Sequence, residues 1–313
     1  TTCRLCGGKM GEPLLDLGEV PVSNSLSTDP SVPDKTWPLQ LVQCEDCQHV
    51  QTSVVVNAEL LYPADYPYRS GTSPVMRKHM HDYALEIAAY ANGGRVLEIG
   101  ANDGTLVEEL EGQGLDALGV DPAEQAAFES DVLTLPMAFT ASLARRLRKV
   151  DCVVANHCLA HIDDSQDVVT GAREVMEDDG IFVMEVGYLG AMTFDCCYLE
   201  HLSYHHLKPL KAFLERRGLY VYDVQTNKIQ GGSLRVWATR KRGPHYFSVD
   251  HVENEELKMD LGALSRQVET LRAGLEPILD GPFAIYGAPA KLTTMLAAIP
   301  MLRKAKCVFD DNP

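Results

Sequence analysis

Four of the nine cysteines stand in two CxxC pairs, Cys3-Arg4-Leu5-Cys6 and Cys44-Glu45-Asp46-Cys47. Each pair can present two thiolates to one tetrahedral ion, at about 2.3 Å if the ion is zinc. Four thiolates close the coordination sphere and leave no position for a substrate. The implied metal is therefore structural, holding a segment too small to fold by itself. An odd cysteine count with this pairing points to a reducing compartment and metal binding, not to a disulfide framework. Cys152, Cys158, Cys196, Cys197 and Cys307 lack such spacing and read as free thiols, mostly small buried hydrophobes.

A second motif runs Val96-Leu97-Glu98-Ile99-Gly100-Ala101-Asn102-Asp103-Gly104. It reads as an apolar strand entering a glycine turn and then a helix. Glycine allows positive φ and close backbone approach to a ligand. Nucleotide-type ligands bind at such strand ends in open α/β sheets. The turn is GxxxG, so the GxGxxG pyrophosphate fingerprint is absent. About 20 residues on, Gly119-Val120-Asp121-Pro122 places a carboxylate at the end of the next strand, suited to accept both hydroxyls of a ribose.

The third constellation is Tyr198-Leu199-Glu200-His201 with His161 upstream. Histidine titrates near working pH and suits a base; the carboxylate and phenol could orient it or meet a developing oxyanion. A lone histidine is more often structural, and His205 and His206 lie close by. Cys196-Cys197 has no partner pattern for a thiol nucleophile. Lys291, before a helix, reads as a phosphate or sugar contact. Arg235 reads as a strand-surface residue or a contact to substrate phosphates.

These groups need a scaffold, and the apolar pattern supplies one. Residues 1–62 are rich in Gly and Pro, with short apolar runs at 14–17, 39–42 and 50–56, a small β-rich unit containing a polar loop over 23–35. Helical spacing covers 73–91. Strands at 95–99, 117–120, 132–135, 152–155 and 181–185 then alternate with helices at 104–111, 123–129, 142–147 and 166–176. That alternation predicts a parallel sheet with right-handed crossovers. A helix at 207–217 and strands at 220–225 and 233–239 follow. Beyond a linker at 241–252, one long helix is expected over 253–279, then a strand at 283–286, a helix at 292–298 and a strand at 307–309. The expected division is 1–62, 63–240 and 241–313, an α/β chain whose last unit, two strands and a helix, reads as truncated.

Lys and Arg number 28 against 44 Asp and Glu, a formal charge of −16. Such a field opposes nucleic acid and anionic membranes. No stretch approaches about 18 apolar residues, and the N-terminus lacks a signal-peptide pattern, so a cytoplasmic location is expected. Oligomeric state is not legible.

The paired motifs LEIGANDG and GVDP resemble those with which class I methyltransferases hold S-adenosylmethionine. More specifically, the chain resembles the sugar C-methyltransferases that act on nucleotide-linked 4-keto-deoxysugars. The likeness is carried by the twin CxxC unit, Tyr68-Arg69-Ser70-Gly71-Thr72-Ser73 with Met76, Arg77 and His79, and LEIGANDG. It continues through Asn156 to His161, Tyr198 to Tyr204, Gly231-Gly232-Ser233-Leu234-Arg235-Val236, Tyr286 to Lys291 and Asp310-Asp311-Asn312-Pro313. The resemblance implies a zinc-binding N-terminal domain, a Rossmann-like methyltransferase sheet and a C-terminal Rossmann-like unit enclosing the sugar nucleotide. It implies Zn2+ on Cys3, Cys6, Cys44 and Cys47. It places S-adenosylmethionine among Tyr68, Ser70, Glu98, Gly100, Asn102, Gly104, Asp121 and Asn156, and the catalytic cluster at Tyr198, Glu200, His201 and His161. Three departures stand out. Leu199 replaces the usual His, Leu292-Thr293 replaces Gly-Asn after Lys291, and the family's last strands are missing. Two other readings are an O- or N-methyltransferase of a small molecule and a non-catalytic zinc-containing binding protein.

Overall fold

The computed structural model describes residues 2–24, 31–62, 66–91, 93–129, 131–243, 246–287 and 289–310. The strands are β1 Met10–Pro21, β2 Thr36–Cys44, β3 Val50–Thr52, β4 Arg95–Ile99, β5 Asp116–Asp121, β6 Thr134–Pro136, β7 Val150–Asn156, β8 Met176–Gly187, β9 Ser203–Tyr204, β10 Tyr220–Asn227, β11 Ser233–Thr239, β12 Ile285–Tyr286 and β13 Val308–Phe309. The helices are α1 Ala58–Leu61, α2 Pro74–Ala91, α3 Thr105–Gly112, α4 Glu124–Glu129, α5 Ala141–Ala144, α6 Ser165–Val175, α7 Leu207–Glu215, α8 Phe247–Glu256, α9 Ala263–Leu275 and α10 Lys291–Ala298.

In the central sheet the strand order is β10-β11-β8-β7-β4-β5-β6. From β6 to β8 neighbouring strands are parallel, as the alternation predicts. Strand β11 departs from this, running antiparallel to both β8 and β10. The link from Asn227 to Ser233 is too short for a crossover, so the chain turns back on itself. Gly231 and Gly232 take positive φ in that turn. Leu97, Val153, Val154 and Ala155 are fully buried, as a strand covered on both faces requires. Met76, Met80, Tyr83 and Ile87 recur along one face of α2 and pack on the sheet with Val183 and Trp237.

The N-terminal sheet has the order β1-β2-β3-β9. One of its edge strands, β9, comes from far along the chain and pairs Val50 with Tyr204 and Gln51 with Ser203. The two units thus share a sheet across the division expected at residue 62. Ala297, Ala298 and Ile299, at the end of α10, bury into the same core as Leu15, Leu39 and Phe194.

The single helix expected over 253–279 is two helices, α8 and α9. Asp260 accepts the Gly262 N–H at 3.0 Å, a local bond that competes with the helix and breaks it. The last strands, β12 and β13, pair in parallel on either side of α10. Of the closing Asp310-to-Pro313 motif only Asp310 lies among the described residues, Ala288 lies outside them, and so does 25–30 of the polar loop. No described helix is long and apolar enough to cross a membrane.

Candidate active site

The two knuckles converge. Cys3 Sγ lies 3.6 Å from Cys47 Sγ, Cys6 Sγ lies 3.5 Å from Cys44 Sγ, and all four sulfurs fall within 4.8 Å of one another. Sulfurs bonded at about 2.3 Å to one tetrahedral ion stand roughly 3.8 Å apart, so this donor set fits zinc. The N–H of Gly8 points to Cys6 Sγ and that of Cys47 to Cys44 Sγ, at 3.4 and 3.5 Å. Such donors favour the thiolate form a metal requires.

The glycine turn follows β4. Gly100, Asn102 and Gly104 all have positive φ. A Cβ on Gly100 would come within 2.4 Å of Cys158 Cβ, so the close approach there is to the chain itself. Asp121 ends β5 and takes the N–H of Asn102 at 2.8 Å and of Ala123 at 2.7 Å. Asn102 turns its amide away, to the N–H of Ser70 at 3.0 Å and the carbonyl of Tyr68 at 3.1 Å. Asp103 takes the Gly71 N–H at 2.8 Å. Tyr68 and Ser70 are thereby pinned over the turn.

Two buried polar atoms here lack partners among the described residues, Glu98 Oε2 and Asn156 Oδ1. They stand near the ends of adjacent strands. Burial pushes the Glu98 carboxyl well up, with Asp121 and Asp103 adding to it; burial likewise raises Asp121. An orphaned carboxyl, two further carboxylates and a glycine turn fit a ligand that carries positive charge and a ribose, as S-adenosylmethionine does.

The predicted catalytic residues also meet. The His161 and His201 rings lie 4.8 Å apart, and the Tyr198 ring lies tilted against His201 at 4.0 Å. His201 Nδ1 faces the Cys196 carbonyl at 3.0 Å and must carry the proton. Its Nε2 is then an acceptor, taking the Tyr198 O–H at 2.8 Å. His161 Nδ1 donates to the Glu200 carbonyl at 2.8 Å, which leaves Nε2 as a lone pair with no partner among the described residues. Burial lowers the His161 pKa to about 4 and that of His201 well below the ordinary range. Both imidazoles are neutral near pH 7. Glu200 is fully buried. Its Oε1 accepts the N–H groups of Ser23 at 2.8 Å and Asn24 at 3.2 Å, while Oε2 has no partner among the described residues. Burial raises its pKa.

Tyr62, Ser23 and Asn24 were not singled out in the sequence. Tyr62 O–H donates to the Glu200 carbonyl at 3.1 Å and lies 2.8 Å from His161 Nδ1. Their only local signal is position, at the edges of a polar loop and a unit boundary. His205 is fully buried, and neither ring nitrogen has a side-chain partner among the described residues, so it is not an accessible rival base.

Lys291 reaches the site, with Nζ 3.1 Å from Cys196 Sγ and 3.4 Å from Asp195. Arg235 requires a correction. It is neither a surface residue nor free for phosphates. Its guanidinium lies buried over Tyr83 at 3.6 Å, bonded to Glu185 at 2.7 Å and Glu86 at 2.7 Å. Burial would raise the Glu185 carboxyl, but hydrogen bonds from His157 and His79 outweigh it and hold it well below the usual range. His79, His157 and Glu185 also bring their ligand atoms within 4.8 Å. Arg235 already supplies the cation there.

The strand order, the glycine turn after β4 and the acid ending β5 define a class I S-adenosylmethionine-dependent methyltransferase. A family model for a zinc-binding domain matches residues 3–62, and one for a methyltransferase domain matches residues 75–224. C-methyltransferase NovU of Streptomyces niveus is 29% identical over 326 residues, covering 95% of this chain and 77% of NovU. Solved structures similar to part of the chain include magnesium protoporphyrin IX methyltransferase (ChlM) of Synechocystis PCC 6803 with bound SAH, 14% identical, at a TM-score of 0.45 over 56% of this chain and 90% of that one. Another is the 1,6-didemethyltoxoflavin-N1-methyltransferase of Burkholderia thailandensis, 18% identical, at 0.44 over 64% and 99%. The two domain matches make the chain an S-adenosylmethionine-dependent methyltransferase with an N-terminal zinc-binding domain, which sets aside a non-catalytic binding protein.

Proposed function

We propose that the enzyme methylates a carbon next to the ketone of a nucleotide-linked 4-keto-deoxysugar through an enolate. One observation supports this above the rest: a neutral buried imidazole paired to a phenol stands with a second free imidazole nitrogen and an orphaned carboxylate oxygen. Carbon methylation needs a base within such a set, because a C–H proton must leave before the carbon can attack. Bound on Glu98, Asp121, Asn156 and the turn from Gly100 to Gly104, beneath Tyr68 and Ser70, S-adenosylmethionine supplies an electrophilic methyl group.

In this reading His201 Nε2 takes the proton from carbon. Its Nδ1–H, held on the Cys196 carbonyl, fixes the tautomer that leaves Nε2 basic. Tyr198, displaced from Nε2 by the acceptor, turns its O–H to the developing enolate oxygen. His161 orients the acceptor through its free Nε2, which accepts a neighbouring hydroxyl. Glu200 Oε2 accepts another sugar hydroxyl. Lys291 is the cation suited to a phosphate.

Labelled S-adenosylmethionine and a panel of thymidine-diphosphate-linked 4-keto-deoxysugars in heavy water test this. Label is expected on carbon, with solvent deuterium entering the same position in the absence of the methyl donor. His201→Ala should abolish that exchange in folded protein. A methylated acceptor that lacks the ketone would instead establish an O- or N-methyltransferase.

A further inference from the structure

Arg4 lies inside the first metal knuckle, between Cys3 and Cys6, yet its side chain is directed to the catalytic loops. The side chain is 4% exposed. Nε donates to Asp163 Oδ1 at 2.9 Å, and Nη1 donates to the Leu202 carbonyl at 3.0 Å. Asp163 comes two residues after His161, and Leu202 directly follows His201. One planar group therefore bridges the loops that carry both histidines. Its own backbone is fixed as well: the Arg4 N–H donates to Gln51 Oε1 at 2.9 Å, and its carbonyl accepts from Gln166 at 3.1 Å. The Leu202 carbonyl takes a second donor, the Thr52 N–H at 3.1 Å, and the Leu202 N–H reaches the Ala160 carbonyl at 2.8 Å.

We propose that Arg4 is a positioning residue for proton transfer. It carries the rigidity of the cysteine knuckle into the two histidine loops and fixes the separation of His161 and His201. This rests on the proposed reaction, in which both imidazoles act. A guanidinium can fork to two acceptors in fixed directions; an ammonium is a point charge and cannot reproduce both bonds. Displacement of a catalytic group by about 1 Å can cost roughly 100-fold in rate, so a tie outside the pocket can govern turnover.

The test uses Arg4→Lys and, outside the knuckle, Asp163→Ala. Zinc per chain and S-adenosylmethionine affinity by calorimetry are expected to match the wild type. With the thymidine-diphosphate 4-keto-deoxysugar that the wild type methylates fastest, kcat should fall about tenfold or more with KM for the methyl donor unchanged. Guanidinium ion should restore part of the rate to Arg4→Ala and none to Arg4→Lys. The ring proton resonances of His161 and His201 should move in both test variants, while those of His81, on the outer face of α2, stay in place. That spectrum reads the tie without any acceptor. If Arg4→Lys loses zinc, Asp163→Ala carries the test. Unchanged kcat and unmoved His161 and His201 resonances in the metal-loaded variants overturn the inference. His161→Asn and His201→Asn separate the two levels. If they keep full kcat, the proposed reaction falls; if they lose it and the Arg4 and Asp163 variants do not, only the positioning role falls.

Discussion

Gly100 shows how much a single residue fixes in this enzyme. Its φ of +76° is in the left-handed region, and Cys158 sits where a side chain would begin. Left-handed backbone costs about 1–2 kcal/mol for a residue with a Cβ, before any contact is counted. Gly100→Ala is expected to lose at least that much stability in urea denaturation and to weaken S-adenosylmethionine binding by calorimetry. A variant that unfolds and binds as the wild type does would show the turn to be loose. The glycine and the acid at 121 were legible because a turn is a local object and its residue types are set by its own φ/ψ. Glu200 is the opposite case. Its residue type was legible, but the backbone donors that hold it come from Ser23 and Asn24, 177 and 176 residues away.

Among the elements, α2 and β11 are joined by a charge the sequence could not place. Arg235 alternates in β11 with residues of either face, and the strand alone cannot say whether a helix covers it. The helix does cover it, presenting Tyr83 and Glu86, while β8 presents Glu185. Removing one partner of a buried pair leaves the other charge stranded, at a cost of about 3–5 kcal/mol. Arg235→Ala should therefore lower stability by roughly 3 kcal/mol in urea denaturation. A phosphate-binding arginine would behave otherwise: the variant would unfold as the wild type does and lose only affinity for the acceptor. Strand β9 was missed for a related reason. Two residues carry no periodicity, and pairing with β3 is what makes them a strand.

Across the whole molecule, the join between the N-terminal sheet and the central domain buries imidazoles. His205 is fully buried, its ring 5.5 Å from that of His49, and burial, with His206 nearby, lowers its pKa to about 3. The folded state therefore excludes a proton that the unfolded chain accepts near pH 6.5. Stability from this group is complete above pH 6.5 and is lost as pH falls toward 3. His205→Leu removes that loss. Relative to wild type the variant should gain about 1.4 kcal/mol for each pH unit below 6.5. Urea titrations at pH 7, 6 and 5 measure the difference directly, and parallel curves would exclude His205 as the source.

By itself the sequence determined whatever depends on neighbours along the chain. That covers the two cysteine knuckles, the glycine turn with its following acid, the strand–helix alternation and the Tyr-x-Glu-His run. Spacing in these is fixed by bond lengths and backbone dihedrals, so the residues report their geometry locally. Only the tertiary structure decided which imidazoles face each other, where Arg235 spends its charge, and that a strand following the Tyr-x-Glu-His run completes the N-terminal sheet. Those outcomes depend on how covered faces stack. Stacking is set by the burial of side chains distant in sequence, which no short stretch records.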